Sequence, residues 1–395
     1  MVQSVIVAGG GIGGLSTSIA LARSGYAVRT IERADEIKAI GYGIQLGPNA
    51  FHAFSRLGIE DRVLAKCSFP EEGLLLDAES AETFLSLPMG AAMKERYGKA
   101  YAVIHRGDLH EILTAACAEN GVELVPGCPL TGFEDTGENV RLQTGKGEMA
   151  ADALVAADGI WSETRATLTG AAPPERLGYV AFRAVTPTNE VAPELTRNAV
   201  MLWCGPGYHM IHYPLRGGEL FNLVAAFDYR LTSEGGEELP LEERLFKRFE
   251  GACDHVRSLL TLVELHQHWE ISSFNPISTW SKGRVILIGD SAHAMLQAMA
   301  QGACQSIEDA LVLADRMSAF GGDIVSAFQA FNASRLMRVT RIQYMSRFMW
   351  ELIHVRGAYS DLRQHLLANY RGKNTLEALA WLYETDIDPA VLSAA

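Results

Sequence analysis

Three short clusters of glycine and carboxylate are the residues best suited to hold a nucleotide. Gly9-Gly10-Gly11-Ile12-Gly13-Gly14 contains a GxGxxG run on Gly9, Gly11 and Gly14. In such a run the first glycine makes a tight turn, the second lets a pyrophosphate approach the backbone, and the third lets a helix pack closely on a strand. The free N–H groups and positive end of that helix then meet the phosphates. Glu32 lies 18 residues after Gly14, where a carboxylate accepts from ribose hydroxyls. Asp158-Gly159 and Gly289-Asp290 set two further carboxylates beside glycine.

These clusters need elements to position them. Val5 to Ala8 is a short apolar run that reads as a buried strand. Leu15, Ile19 and Leu21-Ala22 carry helical spacing up to Gly25, a C-terminal stop, and Val28 to Ile31 reads as a second strand ending at Glu32. Ala153 to Ala157 runs into Asp158, with Ser162 and Arg165 beyond; Arg284 to Ile288 runs into Gly289-Asp290, followed by Ser291-Ala292-His293. Each carboxylate falls at the C-terminal end of a strand, where open α/β sheets bind ligands. Strand, GxGxxG, helix, strand and acid together predict a dinucleotide site, without separating NAD from FAD. Tyr179 to Val185, Ala199 to Trp203 and Asn222 to Phe227 alternate with Gly- and Pro-rich turns, predicting an inserted antiparallel sheet. From about residue 323 the spacing of Phe328, Phe331, Val339, Ile342, Met345, Met349 and Leu352 is helical. Arg335, Arg338 and Arg341 form a stripe on it that reads as a solvated face.

Composition narrows the classes. The chain has 395 residues, 48% hydrophobic and 21% charged, which suits two or three globular lobes and excludes a disordered chain. A net charge of −13 argues against nucleic acid as partner. Six scattered cysteines form no CxxC pair and read as reduced intracellular thiols. No Lys or Arg precedes the apolar N-terminal stretch, so it does not read as a secretion signal, and no long unbroken apolar run predicts a span. The expectation is a cytoplasmic protein with no membrane partner and no metal.

The three clusters, in this order, resemble the single-component FAD-dependent aromatic hydroxylases, the para-hydroxybenzoate hydroxylase class. The first matches the ADP-half motif, Asp158-Gly159 with Ser162 and Arg165 the "DG" motif, and Gly289-Asp290 the "GD" motif at the flavin ribitol. Arg106-Gly107-Asp108-Leu109 resembles an Arg-x-x-Leu segment whose arginine contacts FAD. Gln297 stands where many members have proline, and with Tyr208 to Gly218 it is similar to the 3-hydroxybenzoate 6-hydroxylase subgroup, as are Trp350-Glu351-Leu352 and Trp381-Leu382-Tyr383. Salicylate and 6-hydroxynicotinate hydroxylases share most of this frame.

The resemblance implies an α/β Rossmann-like FAD-binding domain (1–72, 97–177 and 277–330), an inserted antiparallel-sheet substrate domain (73–96 and 178–276) and a C-terminal helical region (331–395). The implied cofactor set is Gly9, Gly11, Ile12, Gly13, Gly14, Glu32, Arg33, Gln45, Arg106, Asp158, Gly159, Asp290, Gly302 and Ala303. The implied reaction hydroxylates a small aromatic acid with dioxygen and NADH or NADPH, in a chain that suggests a homodimer. His209 is then the base or proton relay for a phenol; Tyr213, on the same strand face, and Gln297 orient the substrate, and Tyr101 lines the pocket. His212 should point the other way, His293 reads as structural, and Cys304 reads as packing. An FAD oxidase or reductase on the same fold is the rival reading. A flavin halogenase would carry a WxW motif, and the six tryptophans form none.

Overall fold

The computed structural model describes residues 3–38, 41–232, 239–368 and 374–385. Its first sheet has six strands in the order Ser281–Lys282, Val285–Leu287, Ala153–Ala156, Ser4–Ala8, Ala27–Ile31, Glu123–Val125, and only the first pair is antiparallel. The helix Ile12–Arg23 follows the first strand immediately, and Leu15, Ile19 and Leu21 bury its inner face. Glycine is required at that junction. Gly9 adopts φ +121°, and a Cβ on Gly14 would lie 1.9 Å from the Gly9 carbonyl oxygen.

A second sheet has seven strands in the order Glu264–Ser273, Glu175–Pro187, Leu220–Asp228, Tyr208–Leu215, Ala199–Gly205, Glu72–Asp77, Thr83–Pro88. It is antiparallel as expected except where Ala199–Gly205 runs parallel to Glu72–Asp77, a strand contributed from far earlier in the chain. Alternation gives this sheet two unlike faces. Phe182, Trp203, Tyr208, Met210, Phe221 and Phe227 bury one face against Leu245, Phe249, Val256 and Leu259 of the helices Leu241–Arg248 and Asp254–Leu260. Burying each such large side chain contributes about 1.5–3 kcal/mol. The other face is floored by small residues: Ala181, Val224 and Ala226. A two-stranded ribbon, Gly43–Leu46 with Ala102–His105, and a three-stranded sheet within 130–151 complete the β structure among the described residues.

Two helices join the lobes. Gly302–Ala319 packs on Ile12–Arg23 so closely that a Cβ on Gly13 would meet Ser306 at 3.1 Å. Ile324–Ile353 runs 30 residues unbroken and buries Phe328, Phe331, Val339, Ile342 and Leu352. The arginine stripe on it is exposed only at Arg341, where the sequence expectation was a solvated face throughout. Arg335 is 3% exposed and bonds Asp309 and Glu308, Arg338 bonds Glu308, and Arg341 stacks on Trp381 with its guanidinium 4.0 Å from the ring centre. An acidic pair on the facing helix, Glu308-Asp309, draws Arg335 and Arg338 inward. Among the described residues no helix is long and apolar enough to cross a membrane, and no three His, Cys, Asp or Glu side chains gather as a metal site.

Candidate active site

The glycine turn, the two strand-end carboxylates and two helix N-termini converge at one end of the parallel sheet. Neither Gly11 before Ile12–Arg23 nor Gln301 before Gly302–Ala319 caps its helix with a side chain, so both helices leave first-turn N–H groups unpaired by a cap. A Cβ on Gly11 would meet nothing within 4 Å, so the backbone is open to a ligand there. Gly10 is held from both sides: its N–H donates to Glu32 Oε2 at 2.7 Å, and its carbonyl accepts from His110 Nε2 at 2.7 Å. Glu32 Oε1 takes the Ala34 N–H at 2.9 Å, which fixes the carboxylate and leaves each oxygen a further lone pair. Asp158 Oδ2 accepts from Thr164 N at 3.3 Å while Oδ1 is buried without a partner. An acceptor left bare at a strand end beside two uncapped helices fits a ligand carrying both phosphates and hydroxyls.

The other predicted cofactor residues sit around this cradle. Asp290 opens the turn Asp290–His293, is exposed, and lies 3.9 Å from where a Cβ on Gly302 would be. Gly302 and Ala303 form the first turn of their helix, Arg33 follows Glu32 at the surface, and Arg106 is exposed at the start of the helix Arg106–Glu119. Gln45 stands apart, its Oε1 accepting from Tyr101 Oη at 2.7 Å. Arg165 is buried, donates to the carbonyls of Ile160 and Ser291, and stacks on Phe274; it ties the DG segment to the GD turn.

Register arranges the smaller-residue face of the seven-stranded sheet in rows, because residues directly opposite across strands point the same way. Ala181, Ala226, His209 and Cys204 form one row; Arg183, Val224, Ile211 and Leu202 the next; Val185, Asn222 and Tyr213 the third. His209 and Tyr213 therefore share a face across a floor of small side chains. His212 points oppositely, where its Nε2 accepts from Trp203 Nε1 at 3.0 Å. The loop after the GD turn lies over this face: Met295 and Met299 pack in the cluster that holds Tyr101, Ile211 and Tyr213. Gln297, exposed at the head of the turn Gln297–Met299, lines a groove of about 210 Å³ with Ile160, Trp161, Arg183 and Trp269.

Burial sets the electrostatics. It pushes the His209 pKa down to about 4, so the ring is neutral near pH 7. Burial raises Tyr213 and Tyr101 well above the usual phenol value, so both hydroxyls stay protonated donors. Arg183 is half-buried with its Nε buried and unpartnered, its guanidinium 5.4 Å from the ring centres of both Tyr42 and Trp269, and desolvation lowers its pKa. Cys304 goes opposite to the trend of a thiol at a helix start, because burial pushes it up to about 12.

Several contributors escaped the sequence reading, whereas His293 takes the structural place expected of it. His354 Nε2 lies 2.8 Å from His209 Nδ1. His293 Nε2 is 2.6 Å from Asp309 Oδ2, and the same carboxylate oxygen accepts the Gly289 N–H at 2.9 Å, so a buried acid holds the GD turn from below. Arg338 also donates to the carbonyls of Trp381 and Leu382, which sets Tyr383 against Tyr101 with ring centres 6.2 Å apart. Arg183 had a visible signal, a lone charge in the alternating run Tyr179 to Val185. His354 had none, since 145 residues separate it from its partner.

Fold and cradle define an FAD-binding oxidoreductase. The family described as "FAD binding domain" matches residues 2–327, and the chain belongs to it. It is a flavin-dependent aromatic monooxygenase that binds FAD and uses NADH or NADPH as reductant. It is 38% identical to 3-hydroxybenzoate 6-hydroxylase of Polaromonas naphthalenivorans over 381 residues, 96% of this chain and 95% of the relative. To 6-hydroxynicotinate 3-monooxygenase of Bordetella bronchiseptica it is 32% identical, over 87% of this chain and 90% of the relative. The structure of Klebsiella pneumoniae HpxO complexed with FAD and uric acid superposes with a TM-score of 0.84 at 24% identity, covering 95% of both chains. A salicylate hydroxylase substrate complex gives 0.82 at 25% identity, over 100% of this chain and 98% of that one.

Proposed function

We propose that the chain converts 3-hydroxybenzoate to gentisate, 2,5-dihydroxybenzoate, consuming one NADH or NADPH, one proton and one dioxygen and releasing NAD(P)+ and water. The observation that carries the chemistry is the sheet face on which His209, Tyr213 and Arg183 surround a floor of alanine and valine beneath the loop that bears Gln297. The relatives at 35–38% identity that bear the 3-hydroxybenzoate 6-hydroxylase name support the choice of substrate. Residues Gly9 to Gly14, Glu32, Asp158, Asp290 and the Gly302-Ala303 turn hold the FAD, with Arg106, Arg33 and Gln45 at its edges. FAD held by these residues would supply, once reduced by NAD(P)H, the activation of dioxygen that places one oxygen atom on the ring.

The protein's task is to make the ring electron-rich and hold its para carbon in place. A phenol of pKa about 10 is three units from ionising at pH 7, about 4 kcal/mol. His209, neutral because it is buried, accepts the hydrogen bond of the substrate hydroxyl and takes its proton as the ring reacts. The phenoxide charge that then develops beside the imidazole favours its protonated form and offsets the desolvation that keeps it weakly basic. Tyr213 donates a hydrogen bond, Tyr101 lines the pocket with its own hydrogen held by Gln45, Gln297 closes the groove, and Arg183 supplies the cation that an aryl carboxylate requires. The carbon para to the hydroxyl is position 6, so gentisate is the product. The protein works in the cytoplasm as a homodimer.

Coupled product formation tests this on 3-hydroxybenzoate, 4-hydroxybenzoate, salicylate and 6-hydroxynicotinate. 3-Hydroxybenzoate should give gentisate in a one-to-one ratio with NAD(P)H oxidised. Faster coupled turnover of another acid overturns the substrate, and NAD(P)H oxidation with peroxide but no ring product from any of them overturns the hydroxylase. His209→Ala should lower hydroxylation by about 10²–10⁴ while peroxide release rises; unchanged coupling removes His209 from the mechanism.

A further inference from the structure

His209 and His354 form a directed hydrogen-bond chain. His354 caps the C-terminal end of Ile324–Ile353, and its Nδ1 lies 2.7 Å from the carbonyl oxygen of Trp350. A carbonyl only accepts, so that nitrogen carries the hydrogen. His354 is buried, and desolvation holds its pKa well below the usual value, with the ring of His209 and the cations Arg356 and Arg248 acting in the same direction against a second proton. Its Nε2 is therefore a bare lone pair, 2.8 Å from His209 Nδ1. The hydrogen between them must sit on His209 Nδ1. A neutral imidazole has one N–H, so His209 Nε2 is left as the acceptor.

We propose that His354 is a positioning residue, which selects the Nδ1–H tautomer of His209 and so makes Nε2 the atom that receives the substrate's phenolic proton. The inference rests on the reading of His209 as the base. The surroundings hold the pair rigidly. The Gly207 N–H in the turn before the His209 strand donates to the His354 carbonyl at 3.1 Å, so helix end and hairpin are tied. The His354 ring is walled by Trp350 and Tyr179, with ring centres 4.7 and 4.8 Å away, and Trp350 meets His209 edge-on at 5.2 Å. The nearby acid Asp228 is engaged by Arg230 and Arg356, Glu351 is exposed, and the bonds of the pair run to each other and to the Trp350 carbonyl rather than to a carboxylate. The tautomer is chosen by a neutral ring and a backbone carbonyl rather than by a buried carboxylate, so no buried negative charge opposes the phenoxide.

Two measurements test it. In FAD-loaded protein labelled with 15N-histidine, resonances assigned through His209→Gln and His354→Gln should show, near pH 7, protonated Nδ1 and bare Nε2 on both rings. Protonated Nε2 on His209 overturns the proposal, whatever the kinetics. With 3-hydroxybenzoate, His354→Phe keeps the ring but removes its nitrogens. Coupled hydroxylation should fall about 10–100-fold, the bound phenol should ionise at higher pH by ultraviolet difference spectra, and peroxide should rise. His354→Gln keeps an acceptor for Nδ1–H and should recover most of the loss. Equal losses in both variants, with the phenol ionisation unmoved, make His354 merely structural. If His209→Ala instead leaves coupling intact, the base assignment fails while the nitrogen spectra still read the tautomer.

Discussion

Replacing Arg335 with methionine removes one guanidinium from the closed buried cluster that supports the GD turn. Arg335 donates from Nε to Asp309 at 2.8 Å, from Nη1 to Glu308 at 2.7 Å and from Nη2 to Gln305 Oε1 at 2.8 Å. Burial alone would raise the pKa of Asp309, but His293, Arg335 and the Gly289 N–H outweigh it and hold the acid at about 2, against an ordinary 3.8. The charged form is therefore the favoured one in the fold despite its burial. Two carboxylates balanced by two arginines become two balanced by one. Removing one partner of a buried pair costs about 3–5 kcal/mol. Unfolding 395 residues at about 2.1 cal/mol/K each gives roughly 0.8 kcal/mol/K, so the melting temperature should fall by about 4–6 °C. Circular dichroism should report that drop, and flavin fluorescence should show FAD released earlier, because Asp309 also fixes Gly289. Adding Asp309→Asn restores the balance of charge, so the double variant should be more stable than Arg335→Met alone. A single variant melting within 1 °C of the parent, or a double variant that loses the sum of both, would refute the reasoning.

Other outcomes follow from single contacts. Gly14→Ala should prevent stable folding, since its Cβ would sit 1.9 Å from the Gly9 oxygen, whereas Gly11→Ala, with nothing within 4 Å, should fold and melt normally as apoprotein yet bind FAD weakly; equilibrium dialysis and melting curves separate the two. Tyr101→Phe removes the 2.7 Å bond that fixes Gln45 and this wall of the pocket, so KM for the aromatic acid should rise by about tenfold with smaller change in kcat. Stability should fall as pH drops from 6.5 toward 4. His209 and His212 are held neutral in the fold down to about 4 and 3, while the unfolded chain protonates near 6.5, so each costs about 1.4 kcal/mol per pH unit in that window. Glu308 and Asp309, held near 2, lose their contribution only below their ordinary 4.5 and 3.8, so a urea midpoint flat between pH 6.5 and 5 would refute the histidine account.

What the sequence disclosed and what it hid divide by distance along the chain. The nucleotide cradle was legible because its parts are local. A strand, a glycine turn and a helix occupy Ser4 to Arg23, and each carboxylate stands within three residues of the strand that presents it. His209, Tyr213 and His212 could be assigned to faces because a strand alternates strictly. Arg335 and Arg338 of the arginine stripe were misread because amphipathic spacing says which side chains share a face, not what that face meets. Glu308 and Asp309, 26 or more residues away, decide the matter by offering charge in a place without water. His354 is hidden for a stricter reason: one imidazole gains its meaning from another only after a helix end and a hairpin have been brought together. Long-range pairing is thus what separates a recognisable nucleotide fold from a tuned hydroxylation site. The same argument locates divergence within the family. Under the proposed function, changes of ring substrate should enter through the exposed loop at Gln297, whose side chain lines the groove. The buried Glu308–Asp309–Arg335 cluster should resist change, because there no single substitution leaves its partners satisfied.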